Sequence, residues 1–177
     1  MNYLEKFRTI KHFIFDIDGV LTSGNVFLTP EGGLLRTMSI RDGYAIKIAV
    51  DRGYSVCIIS GGHTPGADLR LSNLGVQDIY MGAKNKLVAF QKHVRKYQLN
   101  PGAILYMGDD LPDYAVMAQV GLPCCPQDSV DEIRDLSLYV SPKKGGAGCV
   151  RDVIEKVLKL KGDWPGYPNL KTRTINR

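Results

Sequence analysis

The chain has 177 residues, of which 44% are hydrophobic and 23% charged, and its formal net charge is +5. This length suits one compact domain, and the composition excludes collagen-like, low-complexity and intrinsically disordered chains. No apolar run approaches the roughly 20 residues that a bilayer span needs, and the first residues, MNYLEKFRTIKH, lack the apolar centre of a secretory signal. We therefore expect a cytoplasmic protein with no membrane partner.

The positive charge is dispersed along the chain rather than gathered in a stripe. The basic cluster at residues 92–96, KHVRK, is better explained as a solvated helix face than as a nucleic-acid surface, so we expect no nucleic-acid partner. A small anionic substrate is compatible with the charge. The four cysteines show neither metal-ligand spacing nor a disulfide framework, and we expect packed, reduced thiols.

Apolar runs alternate with segments of helical periodicity along most of the chain. This alternation predicts an α/β fold, in which helices flank a Rossmann-like parallel sheet. Two β-prone runs around the turn PEGG predict a β-hairpin over residues 25–40, inserted after the first strand. We expect a single domain over residues 1–162 and an extended tail over residues 163–177. The predicted strands are 12–16, 54–60, 77–81 and 103–109, and the predicted helices are 42–53, 64–75, 84–98, 111–121 and 149–162.

Acidic residues follow two of the predicted strands directly. Open parallel sheets carry their sites at the carboxyl ends of the strands, where Asp16 and Asp18 follow the first strand and Asp109 follows the fourth. Residues i and i+2 of an extended segment point to the same side, so Asp16 and Asp18 can converge. Three carboxylates around one point suit a hard divalent cation, and we predict a Mg2+ site there.

A phosphate group would also need hydrogen-bond donors and a positive charge near this metal. Ser60 and the backbone of Gly61 and Gly62 offer a hydroxyl and N–H groups beside a predicted helix start, where the helix dipole favours an anion. A lysine such as Lys86 can act as a point charge on phosphate, although on its own it would pass for a surface lysine.

These residues together resemble the haloacid dehalogenase (HAD) superfamily of phosphotransferases. Its four motifs occur in order as DIDGVLT (16–22), Ser60, Lys86 and GDDLPD (108–113). The chain is further similar to the 3-deoxy-D-manno-octulosonate 8-phosphate (KDO 8-phosphate) phosphatase group, through RDGYAI (41–46), LGV (74–76), YMGAKNK (80–86) and GGAGCVRDV (145–153). The chain departs from that group at Ser23, where Asp is frequent, and at Gly62 and His63, where Arg is usual in one or the other place.

The resemblance implies a phosphomonoesterase that works through an aspartyl-phosphate. Asp16 would attack phosphorus, while Asp18 would protonate the leaving group and then deprotonate the hydrolytic water. Mg2+ would be held by the side chains of Asp16 and Asp109 and the backbone carbonyl of Asp18. Ser60, the Gly61 N–H and Lys86 would hold the phosphate oxygens.

Four further residues receive supporting roles by the same resemblance. Asp110 and Asp113 would orient Lys86 or a metal-bound water, although Asp113 could instead be a helix-start carboxylate. Arg70 would meet the charge of a sugar-acid substrate, and His63 could do so as well or could be an ordinary surface histidine.

Too few residues separate Asp18 from Ser60, and Ser60 from Lys86, to hold a cap domain. In the resembling group a homotetramer covers the site instead. We expect the apolar hairpin 25–40 to contact another subunit, the alternative being that it packs on its own domain. The tail from Trp164, with Lys171, Arg173 and Arg177, could reach a neighbouring site or be disordered.

The substrate that this resemblance implies is KDO 8-phosphate, with a nine-carbon sugar-acid phosphate or another small sugar phosphate as alternatives. A phospho-accepting receiver switch uses similar residues, but its acceptor Asp would stand where Ser60 is. A catalytically inactive scaffold is disfavoured, because Asp16 and Asp18 are both present.

Overall fold

The computed structural model describes residues 3–166. Within that range the chain forms seven α-helices and eight strands, with a short 3-10 turn at Pro101–Ala103. The strands are β1 (His12–Phe15), β2 (Phe27–Leu28), β3 (Leu34–Leu35), β4 (Ser55–Ile59), β5 (Asp78–Tyr80), β6 (Ile104–Met107), β7 (Leu122–Cys125) and β8 (Tyr139–Val140). The helices are α1 (Tyr3–Thr9), α2 (Ile40–Asp51), α3 (Pro65–Asn73), α4 (Lys86–Tyr97), α5 (Leu111–Met117), α6 (Asp131–Leu136) and α7 (Cys149–Lys161).

A six-stranded sheet in the order β5-β4-β1-β6-β7-β8 forms the centre of the protein, and all its pairings are parallel. β1 lies between β4 and β6, with His12 opposite Ser55 on one side and Ile104 on the other. Its continuous apolar run is typical of a strand buried on both faces. The parallel α/β sheet that the sequence predicts is therefore confirmed.

Helices cover both faces of this sheet because successive side chains of a strand point to opposite sides. Phe13 and Phe15 of β1 pack on one face, in a core shared with α2, α3 and α7, whereas Ile14 packs on the other face with α4, α5 and α6. The four cysteines are buried free thiols within these layers.

The predicted hairpin is present as the antiparallel pair β2 and β3, in which Phe27 lies opposite Leu35. It precedes α2, and the only elements between β4 and α4 are α3 and β5. The expected absence of a cap domain is therefore confirmed for the described residues. The hairpin leaves Leu28 75% exposed and Leu35 59% exposed.

Four elements were not predicted from the sequence: α1, β7, α6 and β8. β7 has the sequence LPCC, which contains a proline, a residue that is rare within strands, although all four of its residues are buried. α6 has only six residues and β8 only two, so neither shows a readable periodicity. Helix α5 ends at Met117, earlier than the predicted residue 121.

The start of the predicted tail packs on the body of the protein. Asp163 accepts a hydrogen bond from the Tyr54 hydroxyl at 2.5 Å, and Trp164 is buried with its ring against Tyr44. The packed region therefore reaches at least Trp164. The division at residue 162 stays a prediction, and Lys171, Arg173 and Arg177 lie outside the described residues. No helix within residues 3–166 has the length and apolar character to cross a membrane.

Candidate active site

The carboxyl ends of three adjacent strands bring the predicted site residues together. β1 leads to Asp16 and Asp18, its neighbour β4 leads to Ser60, and its other neighbour β6 leads to Asp109. These ends border a cavity of about 290 Å³. Its lining consists of Asp16, Asp18, Gly24, Ser60, Gly61, Gly62, Lys86, Asp109, Asp110, Pro112 and Asp113.

The loop after β1 depends on glycine to reach Asp109. Gly19 has a φ of +84°, and a Cβ there would lie 1.9 Å from Oδ2 of Asp109. The buried Thr22 fixes the same loop, since its hydroxyl donates to the Ile17 carbonyl at 3.2 Å and accepts from the Gly19 N–H at 3.3 Å. The motif DIDGVLT therefore needs Gly19 for space and Thr22 for its turn.

Lys86 lies inside the site, not on the surface. Its ammonium is 2.9 Å from Oδ2 of Asp16 and 2.7 Å from Oδ1 of Asp113, and all three side chains are buried. Tyr106 of β6 donates to the same Asp113 oxygen at 2.6 Å. Burial lowers the pKa of Lys86, but the negative charges of Asp16 and Asp113 outweigh this effect and raise it. Lys86 is therefore a permanent cation.

Two carboxyl groups in this site have raised pKa values. Burial raises the pKa of Asp16 to about 7, with a further contribution from the charge of Asp113 that Lys86 opposes. Burial also raises the pKa of Asp109 to about 8, assisted by the charges of Asp16 and Asp113. The negative charge at this point exceeds what Lys86 alone offsets, and a bound cation would favour the ionised forms.

The donor set fits a hard divalent cation. Carboxylate oxygens of Asp16, Asp109 and Asp113 all lie within 4.8 Å of one another. Asp113 is the least free of the three, because its Oδ1 accepts from Lys86 and Tyr106 and its Oδ2 accepts from the Asp109 N–H at 3.3 Å. Asp16 and Asp109 are thus the side chains best placed to bind a metal, and all the donors are oxygen atoms, as Mg2+ prefers.

The phosphate-binding residues predicted from the sequence lie beside these carboxylates. Ser60 is almost fully buried, and its hydroxyl accepts from the Gly62 N–H at 3.3 Å. The segment 60–62 is fixed to the loop before α4, because the Gly82 N–H donates to the Gly62 carbonyl and the Ala83 N–H to the Ser60 carbonyl. The same loop delivers Lys86 as the first residue of α4. Gly61 is exposed and lines the cavity.

Of three further predicted residues, one borders this cavity and two lie outside it. Asp110 borders the cavity and caps α5, where its side chain accepts from the Leu111 N–H at 2.7 Å. Arg70 lines a neighbouring cavity of about 410 Å³, and His63 is exposed and lines neither cavity. The roles of His63 and Arg70 in substrate recognition stay predictions.

One residue that contacts the site, Arg36, was missed by the sequence reasoning. Its Nε donates to Oδ1 of Asp18 at 2.5 Å and its Nη2 to Oδ2 at 3.3 Å. The sequence singles out Arg36 in one respect only, because it is the single basic residue of the hairpin segment 25–40. Which way the hairpin folds over the sheet is a tertiary property that the local pattern does not encode.

No protein-family model matches the chain. It is 34% identical over 163 residues to "3-deoxy-D-manno-octulosonate 8-phosphate phosphatase KdsC" of Yersinia pestis, a match that covers 90% of this chain and 87% of that protein. A crystal structure of that phosphatase from Yersinia pestis superposes with a TM-score of 0.89, at 33% identity, over 94% of this chain and 90% of the other.

A second solved structure holds ligands. It is the phosphatase of the same name from Moraxella catarrhalis, described in complex with a magnesium ion, a phosphate ion and KDO. The two chains are 31% identical, with a TM-score of 0.86, over 90% of this chain and 92% of the other.

Proposed function

This chain belongs to the KDO 8-phosphate phosphatase family of the haloacid dehalogenase superfamily, and we propose that it is a phosphoric monoester hydrolase that acts on KDO 8-phosphate. The observation that carries this proposal is the buried contact of Lys86 with both Asp16 and Asp113, beside Asp109 at the strand ends. Such a cluster suits a phosphate, since it joins a fixed cation to carboxylates that face an open cavity.

Asp16 is the proposed nucleophile. Its carboxylate attacks phosphorus and forms an aspartyl-phosphate, while the bond from phosphorus to the leaving oxygen breaks. Lys86 holds Asp16 in place, because its ammonium is 2.9 Å from Oδ2 and is itself fixed by Asp113. A fixed nucleophile removes much of the entropic cost of the attack.

Asp18 is the proposed proton carrier. It gives a proton to the leaving alkoxide, then takes one from the water that attacks the aspartyl-phosphate and releases Asp16. Its side chain is 38% exposed, whereas that of Asp16 is 7% exposed, so the two carboxylates stand in different environments. This difference supports separate roles for two residues of the same type.

Mg2+ is the proposed cofactor, held by Asp16, Asp109 and the Asp18 backbone carbonyl. When bound, it would neutralise charge on the phosphate oxygens. The crowded carboxylates of this site support the proposal, as does the magnesium described in the Moraxella catarrhalis phosphatase. Ser60, the Gly61 N–H and Lys86 would hold the remaining phosphate oxygens, with Asp110 and Asp113 in orienting roles.

Homotetramer formation through the hairpin is a further part of the proposal. Apolar side chains of β2 and β3 are exposed on an insertion next to the site, and apolar surface of this kind favours association. In light-scattering measurements we expect Leu35→Asp to lower the molar mass of the assembly. Leu138→Asp, at a leucine with a similar exposure of 52%, should leave it unchanged.

The test of the function is phosphate release from KDO 8-phosphate, a nine-carbon analogue and simple sugar phosphates, each with and without Mg2+. Mg2+-dependent turnover that favours the eight-carbon acid would support the proposal. Preference for the nine-carbon acid would keep the phosphatase activity and change the substrate to the nine-carbon phosphate. Labelling by acetyl phosphate without turnover would instead favour a receiver-like switch. A cytoplasmic location stays a prediction from the sequence.

A further inference from the structure

We propose that Arg36 binds the carboxylate of the substrate, and that its contact with Asp18 is the arrangement of the site when no substrate is bound. This inference rests on the proposed function, because it concerns the part of a sugar-acid phosphate that lies beyond the phosphate group. It adds a residue from the hairpin to a site otherwise built from strand ends.

The position of Arg36 is unusual for its surroundings. The flanking hairpin residues Leu34 and Leu35 are 51% and 59% exposed, whereas the side chain of Arg36 is 13% exposed. It is covered because it turns from the hairpin toward the strand ends and meets Asp18 with two donors of its guanidinium. This two-pronged geometry is the one in which arginine recognises a carboxylate.

The partner of Arg36 is the residue that has to face the leaving oxygen. Both oxygens of Asp18 accept from the guanidinium. The guanidinium therefore covers both oxygens with which Asp18 could face the leaving group, and at least one of the two contacts has to open during the reaction. A guanidinium N–H is then available to bind another anion.

Space for that anion lies next to Arg36. Asp18 lines the cavity of about 290 Å³ at the strand ends, and Arg36 and Arg70 line a second cavity of about 410 Å³. Gly62 stands at the junction, because a Cβ on it would lie 3.1 Å from Oδ2 of Asp18 and 4.0 Å from Nη2 of Arg36. A side chain at position 62 would therefore crowd the contact between Arg36 and Asp18.

The second cavity has the charge that a carboxylate needs. Two arginines line it together with the hydroxyl residues Thr22 and Thr64, and no carboxylate is among its lining residues within the described chain. The Nε of Arg70 is buried and has no hydrogen-bond partner among the described residues. A phosphate ester bound at Asp16 could extend its acid group into this cavity, where the carboxylate would replace Asp18 as the partner of Arg36.

The cost of this exchange is small. Asp18 is 38% exposed, so water can solvate its carboxylate when Arg36 leaves, and Arg36 keeps a carboxylate partner throughout. The contact can therefore open when a second carboxylate arrives, without a rearrangement of the sheet.

The experiment compares wild type, Arg36→Gln and Arg36→Lys on two substrates, KDO 8-phosphate and D-arabinose 5-phosphate, which has no carboxylate. Arg52→Gln is the matched control, because Arg52 is an exposed arginine at the end of α2. We expect Arg36→Gln to raise KM for the sugar acid roughly 10- to 100-fold, as expected for a lost charged hydrogen bond. The loss on the carboxylate-free ester should be smaller by a factor of about ten or more, and on the sugar acid Arg36→Lys should lie between wild type and Arg36→Gln.

An equal loss on both substrates, or a loss confined to kcat with KM unchanged, would overturn the inference and reduce Arg36 to a support for Asp18. A sugar-acid KM that is unchanged in Arg36→Gln would overturn it as well. All of these results differ from failure of the proposed function, in which wild type would release no phosphate from KDO 8-phosphate.

Discussion

The ammonium of Lys86 lies between two buried carboxylates, 2.9 Å from Oδ2 of Asp16 and 2.7 Å from Oδ1 of Asp113. Asp113 is in turn held by the Tyr106 hydroxyl, which donates to the same carboxylate oxygen that Lys86 contacts. The proposed nucleophile and the proposed phosphate cation therefore position each other.

This contact predicts that Lys86→Met removes activity and also weakens the fold. Loss of the ammonium leaves Asp16 and Asp113 without their cation, and loss of one partner from a buried ion pair destabilises by about 3 to 5 kcal/mol at most sites. Part of that cost is avoided here, because Asp16 takes up a proton readily with a pKa of about 7. Phosphate release and urea unfolding are the measurements.

The control for this variant is Lys84→Met, which removes an exposed lysine two positions earlier in the same loop. It should keep both activity and stability. Comparable losses from the two variants would show that the general positive charge of the loop matters, and not the buried contact.

Mg2+ should raise the Tm of the metal-free protein. Burial and the nearby carboxylates hold the pKa of Asp109 at about 8, so its ionised form is disfavoured in the folded state at neutral pH. Binding of a cation requires ionised ligands and releases protons, and the increase in Tm should therefore be larger at pH 8 than at pH 6. Thermal unfolding with and without MgCl2 measures it.

Asp109→Asn should lose most of this Mg2+-dependent increase. Asp51→Asn, at an exposed carboxylate on α2, should retain it. If Mg2+ left the wild-type Tm unchanged at both pH values, the proposed metal site would be wrong.

The sequence predicted which side chains the fold brings together, because each of them follows an apolar strand or begins a helix. Asp16, Asp18, Ser60 and Asp109 occupy strand ends, whose convergence follows from parallel topology alone. Lys86 needed the resemblance, since its burial depends on how α4 packs.

Contacts between side chains of separate elements could not be predicted from the sequence. Tyr106 looked like one more apolar residue of β6, and only the placement of α5 gives its hydroxyl the Asp113 partner. Arg36 was missed for the same reason, because its contact depends on the direction in which the hairpin folds. Asp42 was noted within RDGYAI, but its role lies in a contact with α7.

Asp42 is expected to stabilise the protein through the start of α7. Its side chain is buried and accepts from the Arg151 N–H at 2.7 Å and the Gly148 N–H at 3.2 Å, where the N-cap residue Gly148 has no side chain of its own. Asp42→Ala leaves these two donors without their acceptor and should lower the free energy of unfolding by about 2 to 3 kcal/mol.

Urea unfolding measures this loss. Asp51→Ala on the same helix removes an exposed carboxylate paired with Lys47, and it should change the free energy of unfolding by less than about 0.5 kcal/mol. A loss of that small size in Asp42→Ala would contradict the capping role.

Histidine burial predicts weaker folding at acidic pH. His93 is fully buried, and burial lowers its pKa from 6.5; Asp78, 3.9 Å from Nδ1, opposes this shift without reversing it. Below pH 6.5 this histidine therefore binds a proton more readily in the unfolded chain than in the folded protein, so the free energy of unfolding falls as the pH falls.

The measurement is the free energy of unfolding of wild type and His93→Gln between pH 7 and pH 5. The gap between the two proteins should shrink as the pH is lowered, since the variant has no group to titrate at this position. His63→Gln, at an exposed histidine, serves as the control and should follow wild type. A constant gap for His93→Gln across this range would contradict the prediction.

The central claim is that Asp16 is the nucleophile of a Mg2+-dependent phosphatase. The most direct test compares phosphate release from KDO 8-phosphate by wild type and Asp16→Asn, both folded and both with Mg2+. We predict that the substitution lowers kcat by a factor of roughly 10⁴ or more, because an amide does not replace a carboxylate nucleophile. Retention of turnover by Asp16→Asn would contradict the account. So would a folded wild-type protein that turns over none of the phosphate esters tried.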